Sequence, residues 1–337
     1  MALQRRSFIR LAGAGMGSSL LLAACGRLGG GNKVKGPSIG MLQFVDAAPP
    51  NSVRQGFVAA LADAGYREGK NINLVDKDAA GELPNNILVA KQFVAQPVDL
   101  FLAIGTPPLQ AAMQVAPTSL PVVFCYCSNP WGAGAGTPPG GVGQHRPNVV
   151  GTVGTNPVGK ELDLAREVNP NLRTVGLIFN PGEPNSDFEA KLLIQEAARR
   201  GIRVESQSVA NSGEVLQAAQ SLAEKEVDAF VKIGDYATIQ AFAAICKVGL
   251  ERKIPVYSVD PPDIDLPGCL AVIGWSYFAD GHAAGKLAVR ILRGASPATM
   301  AFEPLSKTEL LLNRSTAAAI GVTLPEALVS KANRVVG

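Results

Sequence analysis

An α/β protein of two similar lobes, each a parallel sheet flanked by helices, is the fold class this sequence predicts. Three observations lead there. Short apolar runs alternate with helix-like stretches from Ser38 onward, and the alternation occurs twice in the same order. Single elements also echo one another: "VDLFLAIG" returns as "VDAFVKIG" 129 positions later, and "LPVVFCYC" as "IPVYSVDP". Alternating strands and helices pair in parallel through helical crossovers, and a repeated element order gives two lobes of one plan.

The first half opens with a strand, "SIGMLQFV", and a helix, "SVRQGFVAALADAG", closed by Gly65. "NINLVDKD" reads as the second strand and "NNILVAKQFVAQ" as its helix. "VDLFLAIG", "PPLQAAMQVA" and "LPVVFCYC" supply the third strand, third helix and fourth strand. The second half repeats the order with "RTVGLIFN", "SDFEAKLLIQEAARRG", "IRVESQSV", "EVLQAAQSLAEK", "VDAFVKIG" and "IPVYSVDP". Strand runs are short and rich in β-branched residues, whereas the helical runs carry apolar residues at three- and four-residue spacing.

The tripeptide Pro-Asn-Ser occurs after the first strand of each half, at 50–52 and 184–186. In both copies the serine begins S-x-x-Q/E, Ser52 to Gln55 and Ser186 to Glu189, which is capping-box spacing. Both serines are therefore expected at helix starts, just past the C-terminal ends of first strands. Open α/β sheets bind ligands at that edge, and free N–H groups there attract carboxylate or phosphate. After the third strands come Thr106, followed by Pro107, and Asp235; after the fourth come Ser128-Asn129 and Asp260. Thr106 before proline fits an N-cap. If the lobes face each other, these polar strand ends converge on one small volume.

The N-terminus is of another kind. "MALQRRSFIRLAGAGMGSSLLLAACG" has a basic start, an apolar run of about 14 residues and a small-residue end, the pattern of an export signal too short to span a bilayer. "RRSFIR" resembles the twin-arginine export motif, and the run before Cys25 resembles a lipobox whose cysteine is acylated. Residues 1–24 are then the signal, and a Gly-rich tether at 25–37 separates a membrane anchor at Cys25 from the folded body. The formal charge of +3 lies in that signal: without Arg5, Arg6 and Arg10 there remain 28 basic against 28 acidic side chains. Nothing in the mature charge points to nucleic acid. Of the remaining cysteines, Cys125 and Cys127 are two apart in a strand and cannot easily bridge, while pairing of Cys246 with Cys269 is left open.

Signatures of catalysis are missing. There are two histidines, His145 in a Gly-rich loop expected at the surface and His282 on the polar face of a helix, and no HExxH, G-x-S-x-G or Walker A pattern. "WGAGAGTPPGG" has close glycines after a strand, but Pro138 and Pro139 stand where a dinucleotide-binding helix would open. Asp235 and Asp260 can be helix caps, charge partners of a ligand or, least favoured, a catalytic carboxylate pair. No cofactor or metal is called for.

The stretches "IGMLQF", "VRQGFVAALADAGYREGKNI", "VDLFLAIGTPPLQAA", "LPVVF", "VGLIFNPGEPNS", "KIPVYSVD" and "LAVRILRG", in this order and spacing, resemble ABC-transporter substrate-binding lipoproteins of the type that includes tryptophan- and tyrosine-binding members. The resemblance runs from about Ser38 to the C-terminus. It implies a type I periplasmic-binding-protein fold: two Rossmann-like lobes, residues 38–149 with 277–302 and residues 150–276 with 303–337, joined by three crossings. It implies a monomeric, lipid-anchored receptor that closes on a small amino-acid-like molecule and docks on an ABC permease; a sensory receptor of the same fold is the alternative. Its ligand-facing positions are Gln43, Thr106, Ser128, Asn129, Asn185, Ser186, Asp235 and Asp260. The ligand carboxylate would take donors at the helix starting at Ser186, its ammonium would pair with Asp235 or Asp260, and Phe44, Tyr126, Tyr236 and Trp275 are wall candidates. Asn129 stands where many relatives carry an acid, and "VDAAPPN" lacks their usual His-Pro pattern, so the relatives' specificity does not transfer with the fold.

Overall fold

The computed structural model describes residues 35–337. Cys25, the export signal and nearly all of the tether lie outside the described residues. The chain runs β1 (Ser38–Gln43), α1 (Ala48–Asp63), β2 (Asn73–Asp78), α2 (Leu83–Ala95), β3 (Leu100–Ile104), α3 (Thr106–Val115), β4 (Val122–Cys127) and β5 (Val149–Val153). The second half follows with α4 (Val158–Val168), β6 (Thr174–Phe179), α5 (Pro184–Arg199), β7 (Arg203–Ser208), α6 (Val215–Glu224), β8 (Ala229–Val231), α7 (Tyr236–Arg252), β9 (Val256–Ser258) and β10 (Cys269–Trp275). It ends with α8 (Tyr277–Leu292), β11 (Glu303–Pro304), β12 (Thr308–Asn313), α9 (Arg314–Ile320), α10 (Glu326–Val329) and β13 (Arg334–Val336).

Two sheets form. Their orders are β11-β5-β4-β3-β1-β2 and β13-β12-β10-β9-β8-β6-β7, so the first five strands of each half, β1 to β5 and β6 to β10, are wired identically. Local chemistry repeats with the wiring. The "VD" before β3 and before β8 places Asp99 and Asp228 at the strand starts, where each carboxylate clamps the entry of the lobe's first strand. Asp99 Oδ2 accepts from Ser38 N at 2.7 Å, and Asp228 Oδ2 accepts from Arg173 N and Thr174 N at 2.8 Å each. The central strands β1, β3 and β4 are almost wholly buried, as expected of a parallel sheet covered on both faces, while β2 and β7 form half-exposed edges. Strand pairing is parallel except between β10 and β12, which run antiparallel as the chain comes back into the second sheet.

The chain passes between the sheets after β5, after β10 and between β11 and β12. β5 hydrogen-bonds into the first sheet as far as Val153, and β11 as far as Pro304. Both crossings therefore come later than cuts at 149/150 and 302/303 place them. On its return, α8 lies against α1 with glycines at the seam. A methyl group on Gly281 would sit 1.8 Å from the Val53 carbonyl oxygen, and one on Gly285 would sit 2.6 Å from Ala60 Cβ. Only hydrogen fits there, so the two backbones approach closely and α8 is fixed on the first lobe.

Several local expectations are corrected. Neither Ser52 nor Ser186 caps a helix, because each helix starts earlier at its prolines: α1 at Ala48 ahead of Pro49-Pro50, α5 at Pro184. A proline near the first helical position has no N–H to satisfy and a preset φ, so it outcompetes the serine downstream. Thr106 is likewise the first helical residue of α3, with Gly105 at the cap position. Asp235 does cap α7, accepting from Thr238 N at 2.6 Å. All four cysteines among the described residues are free and buried, Cys246 and Cys269 included. His145 is not a loose surface group: its Nε2 lies 2.7 Å from the Met300 carbonyl and its ring stacks on Phe302.

The α1–α8 seam makes Gly281→Ala an overpacking substitution, expected to cost about 1–3 kcal/mol in denaturant unfolding. An unchanged midpoint would refute the close approach of these helices.

Candidate functional site

The C-terminal ends of the strands in the two sheets face each other, and β4 is bent there. Tyr126 takes a left-handed conformation, φ 53°, at a register break between β4 and β5. A bulky residue in that region is held by its surroundings. Here the holder is Asp280 on α8, buried, which accepts from Tyr126 N at 2.8 Å and from the Thr152 hydroxyl on β5. Burial pushes the Asp280 carboxyl up to about 6, against the pull of the Thr152 and Tyr126 donors. The Tyr126 ring meets Tyr277 edge-on at 5.0 Å and Tyr236 at 6.3 Å. Tyr236 belongs to the second half of the chain, at the start of α7, yet packs into the first lobe's core with its ring 4.7 Å from Phe44.

Beside these rings lies a tight space of about 20 Å³, lined from the first lobe by Tyr126 and Ser128, from the crossing by Asn156, and from the second lobe by Asn185, Glu189 and Tyr236. Its polar atoms are incompletely used. Ser128 Oγ and Asn185 Oδ1 are buried and have no partner in strict hydrogen-bond geometry within the protein. The Asn185 amide is oriented by donation of its Nδ2 to the Gly234 carbonyl at 2.6 Å, which leaves the oxygen end free. Glu189 is fully buried and accepts from Gly234 N at 2.7 Å and from Asn156 Nδ2 at 3.0 and 3.2 Å. Burial raises its carboxyl to about 7, against the lowering effect of those donors. A larger, more open groove of about 440 Å³ lies between Ser52, Phe278 and Arg334, but none of its lining atoms is a buried polar group without a partner.

The positions expected from the sequence separate into two groups. Ser128 and Asn185 line the space; the other six do not. Gln43 is buried, donating to Asn51 Oδ1 at 3.2 Å, and Thr106 Oγ1 lies 3.4 Å from Cys127 Sγ. Asn129 Oδ1 accepts from Gly132 N at 2.9 Å and shapes the turn after β4. Ser186 Oγ donates to Asp235 Oδ2 at 2.6 Å, and the Asp235 carboxylate is filled by Asn180 N and Thr238 N, each at 2.6 Å. Asp260 is paired with Lys232 Nζ at 2.6 Å and also accepts from the Tyr277 hydroxyl. Of the wall candidates, Tyr126 and Tyr236 line the space and Phe44 backs Tyr236, while Trp275 donates to the Thr155 carbonyl at 3.0 Å and fixes the crossing.

The helix starts are also spoken for. Glu183 accepts from Tyr236 N at 2.8 Å and Ala237 N at 3.2 Å, so the first turn of α7 is neutralised by Glu183 and Asp235 together. Burial, then the neighbouring Asp235 charge, raises Glu183 to about 8. Beneath them Lys232 is 2% exposed and touches Asp263 Oδ2 at 2.5 Å as well as Asp260. Burial works against the ammonium, but the two carboxylates outweigh it and hold it charged.

Sequence reasoning missed Glu189, Asn156, Asp280 and Lys232. Signals existed for two of them. Lys232 stands in "VDAFVKIG" where the echo "VDLFLAIG" has Ala103, a charge in an otherwise apolar core strand. Glu189 shares the buried face of α5 with Ala190, Leu193 and Ala197, an acid on an apolar stripe.

Comparison with known proteins gives a consistent picture. Residues 38–336 match the family model described as ABC transporter substrate binding protein. A tyrosine-binding protein of Clostridioides difficile is 31% identical over 289 residues, covering 85% of this chain and 81% of that protein. Among solved structures, an ABC domain from Streptococcus pneumonia in complex with L-Trp superposes with a TM-score of 0.83 at 26% identity, over 90% of this chain and 100% of that one. The ligand-free, open structure of a substrate-binding protein with adhesive properties from Clostridium difficile gives 0.67 at 29% identity, over 89% and 99%.

Two outcomes follow from the buried charges. Glu189 titrates near 7 in the fold against 4.5 for an ordinary glutamate, so between those values the native state keeps a proton that the unfolded chain has released. Its contribution favours the fold at low pH and is lost as pH rises through about 7. The decline of Tm from pH 5 to pH 8 should therefore be shallower in Glu189→Gln than in wild type; parallel curves would refute it. Lys232→Met leaves Asp260 and Asp263 uncompensated and should lower unfolding stability by about 3–5 kcal/mol, read by urea titration.

Proposed function

Because this chain belongs to the ABC transporter substrate-binding protein family, a family of binding proteins rather than enzymes, we propose that it captures a small amino-acid-like ligand between its lobes by hinge closure and delivers it to an ABC permease for import. The observation that carries the reading is the pair of buried, unpartnered atoms, Ser128 Oγ and Asn185 Oδ1, beside Glu189 in the interlobe space. Buried polar atoms are normally satisfied, so a partner that arrives with closure accounts for them. Tyr126 and Tyr236 line the space with apolar ring surface, which suits an aromatic or other apolar side chain. The relatives named for tyrosine and complexed with L-Trp are consistent with such a ligand.

On this reading Tyr126, Ser128, Asn156, Asn185, Glu189 and Tyr236 touch the ligand. Gln43, Thr106, Asn129, Ser186, Asp235 and Asp260 stand behind them and set the shape of the strand ends. The protein acts as a monomer outside the cytoplasm, exported by the twin-arginine signal and held at the membrane by a lipid on Cys25. No helix among the described residues is long and apolar enough to cross a membrane.

A thermal-shift screen over the amino acids should give a saturable rise in Tm for one or a few of them, and Asn185→Ala should weaken that binding by about tenfold or more while leaving the far-ultraviolet circular dichroism unchanged. A flat screen, or undiminished affinity in the variant, removes the cleft from the proposal. Cys25→Ala should move the protein from the membrane to the soluble fraction; retention on the membrane excludes acylation at that residue.

A further inference from the structure

Resting on the reading of the interlobe space as the ligand site, we infer that the cleft recognises a primary ammonium head, gripped from the second lobe, and that a ligand carboxylate contributes little. The argument starts from donor and acceptor balance. An ammonium group presents three N–H donors and no acceptor. Three acceptors line the space: the Glu189 carboxylate, Asn185 Oδ1 and Ser128 Oγ. Glu189 is 0% exposed, and Asn185 and Ser128 are 6% exposed each. The asparagine oxygen has no partner within the protein, and the Ser128 hydroxyl, outside strict hydrogen-bond geometry, lies near enough to Glu189 to act on its carboxylate as a donor while its own lone pairs stay open. The Asn185 amide is oriented by one of its two N–H donors, which is bound to the Gly234 carbonyl, and its oxygen end is left open. Glu189 takes donors from Gly234 N and Asn156 Nδ2, with the Ser128 hydroxyl also acting on its carboxylate, and no cation is among these partners.

A carboxylate finds no comparable reception. None of the lining residues is lysine, arginine or histidine. The nearby buried cation, Lys232, is already paired with both Asp260 and Asp263. The first turn of α7, an anion site by its dipole, is filled by Glu183 and Asp235. Ser186 at the start of α5, where the sequence suggested carboxylate binding, donates its hydroxyl to Asp235. Excess negative charge around a desolvated cavity favours a cation and opposes an anion. The ligand class is thus an amine with an apolar body: an amino acid qualifies through its ammonium, and so does the corresponding decarboxylated amine.

The test is isothermal titration of the mature chain with three matched trios: tyrosine, tyramine and hydroxyphenylpropionate; tryptophan, tryptamine and indolepropionate; leucine, isoamylamine and isocaproate. In every trio that binds, the amine should fall within about tenfold of the amino acid, and the acid should be about 100-fold weaker or undetectable. Glu189→Gln should lose about 100-fold for the amine while the acid holds or gains affinity, a reversal of charge preference that a purely structural role for Glu189 would not produce. If an amino acid binds and its amine does not, the inference is overturned while the receptor reading stands. If an acid binds as well as its amine, the inference is overturned again. If no member of any trio binds, both fall together.

Discussion

The constraint on which the rest of this structure depends is the cost of burying charge. An unusual number of ionisable groups lie at the facing ends of the two sheets: Glu161, Glu183, Glu189, Lys232, Asp235, Asp260, Asp263 and Asp280 are all buried. Each must find partners or lose its charge. Asp235 is surrounded by two backbone N–H groups and a hydroxyl, Lys232 sits between two carboxylates, and Asp280 takes an N–H and a hydroxyl. These bonds link elements far apart in sequence and so fix the geometry of the strand ends. Asp280 ties α8 to β4 and β5, and through the strained backbone of Tyr126 it sets where that ring points.

The same constraint explains what could be read in advance. Strand and helix order is written in apolar periodicity, which is local, and the repeated "VD" clamps and strand glycines made the duplication visible. Helix starts slipped by about half a turn or more, because serine capping spacing and N-terminal proline compete and proline fixes the backbone directly. At the site, Ser128 and Asn185 were legible as polar groups past strand ends. Asp235 and Asp260 occupy equally suggestive positions, but their charges are consumed by Asn180, Ser186 and Lys232. Sequence spacing carries no information on that pairing, since the partners come from other strands and helices. Glu189 was hidden by an alternative that was locally complete: at three residues after Ser186 it satisfied a capping box, and only the fold shows that the helix begins earlier and turns this acid inward.

The two lobes share their wiring but not their chemistry. Where the first lobe has Ala103 in its third strand, the second has Lys232, and from that difference a whole ionic layer follows in one lobe alone. The first lobe contributes the Tyr126 ring with Ser128 and the Phe44 backing; the second contributes the Tyr236 ring with Asn185 and the buried Glu189 carboxylate. The return of α8 to the first lobe matters for both, since Asp280 and Tyr277 on one helix reach Tyr126 in the first lobe and Asp260 in the second.

Closure can then be argued as a balance between two buried rings and one buried carboxylate. With the lobes together, Tyr236 is 3% exposed and packed on Phe44 and Tyr126, contacts that favour the closed arrangement. Glu189 is fully buried at the same place, and that burial raises its carboxyl to about 7. Aromatic packing and carboxylate desolvation therefore pull in opposite directions across the same few ångströms. A guest that supplies positive charge to Glu189 removes the opposing term and leaves the packing intact, so it shifts the population toward closure by its differential affinity for that state. A guest without such charge gains only the apolar contacts and leaves the carboxylate penalty in place. If Glu189 receives the positive charge of the guest as proposed, discrimination and closure coincide, because the group that would read the ligand is itself a buried carboxylate.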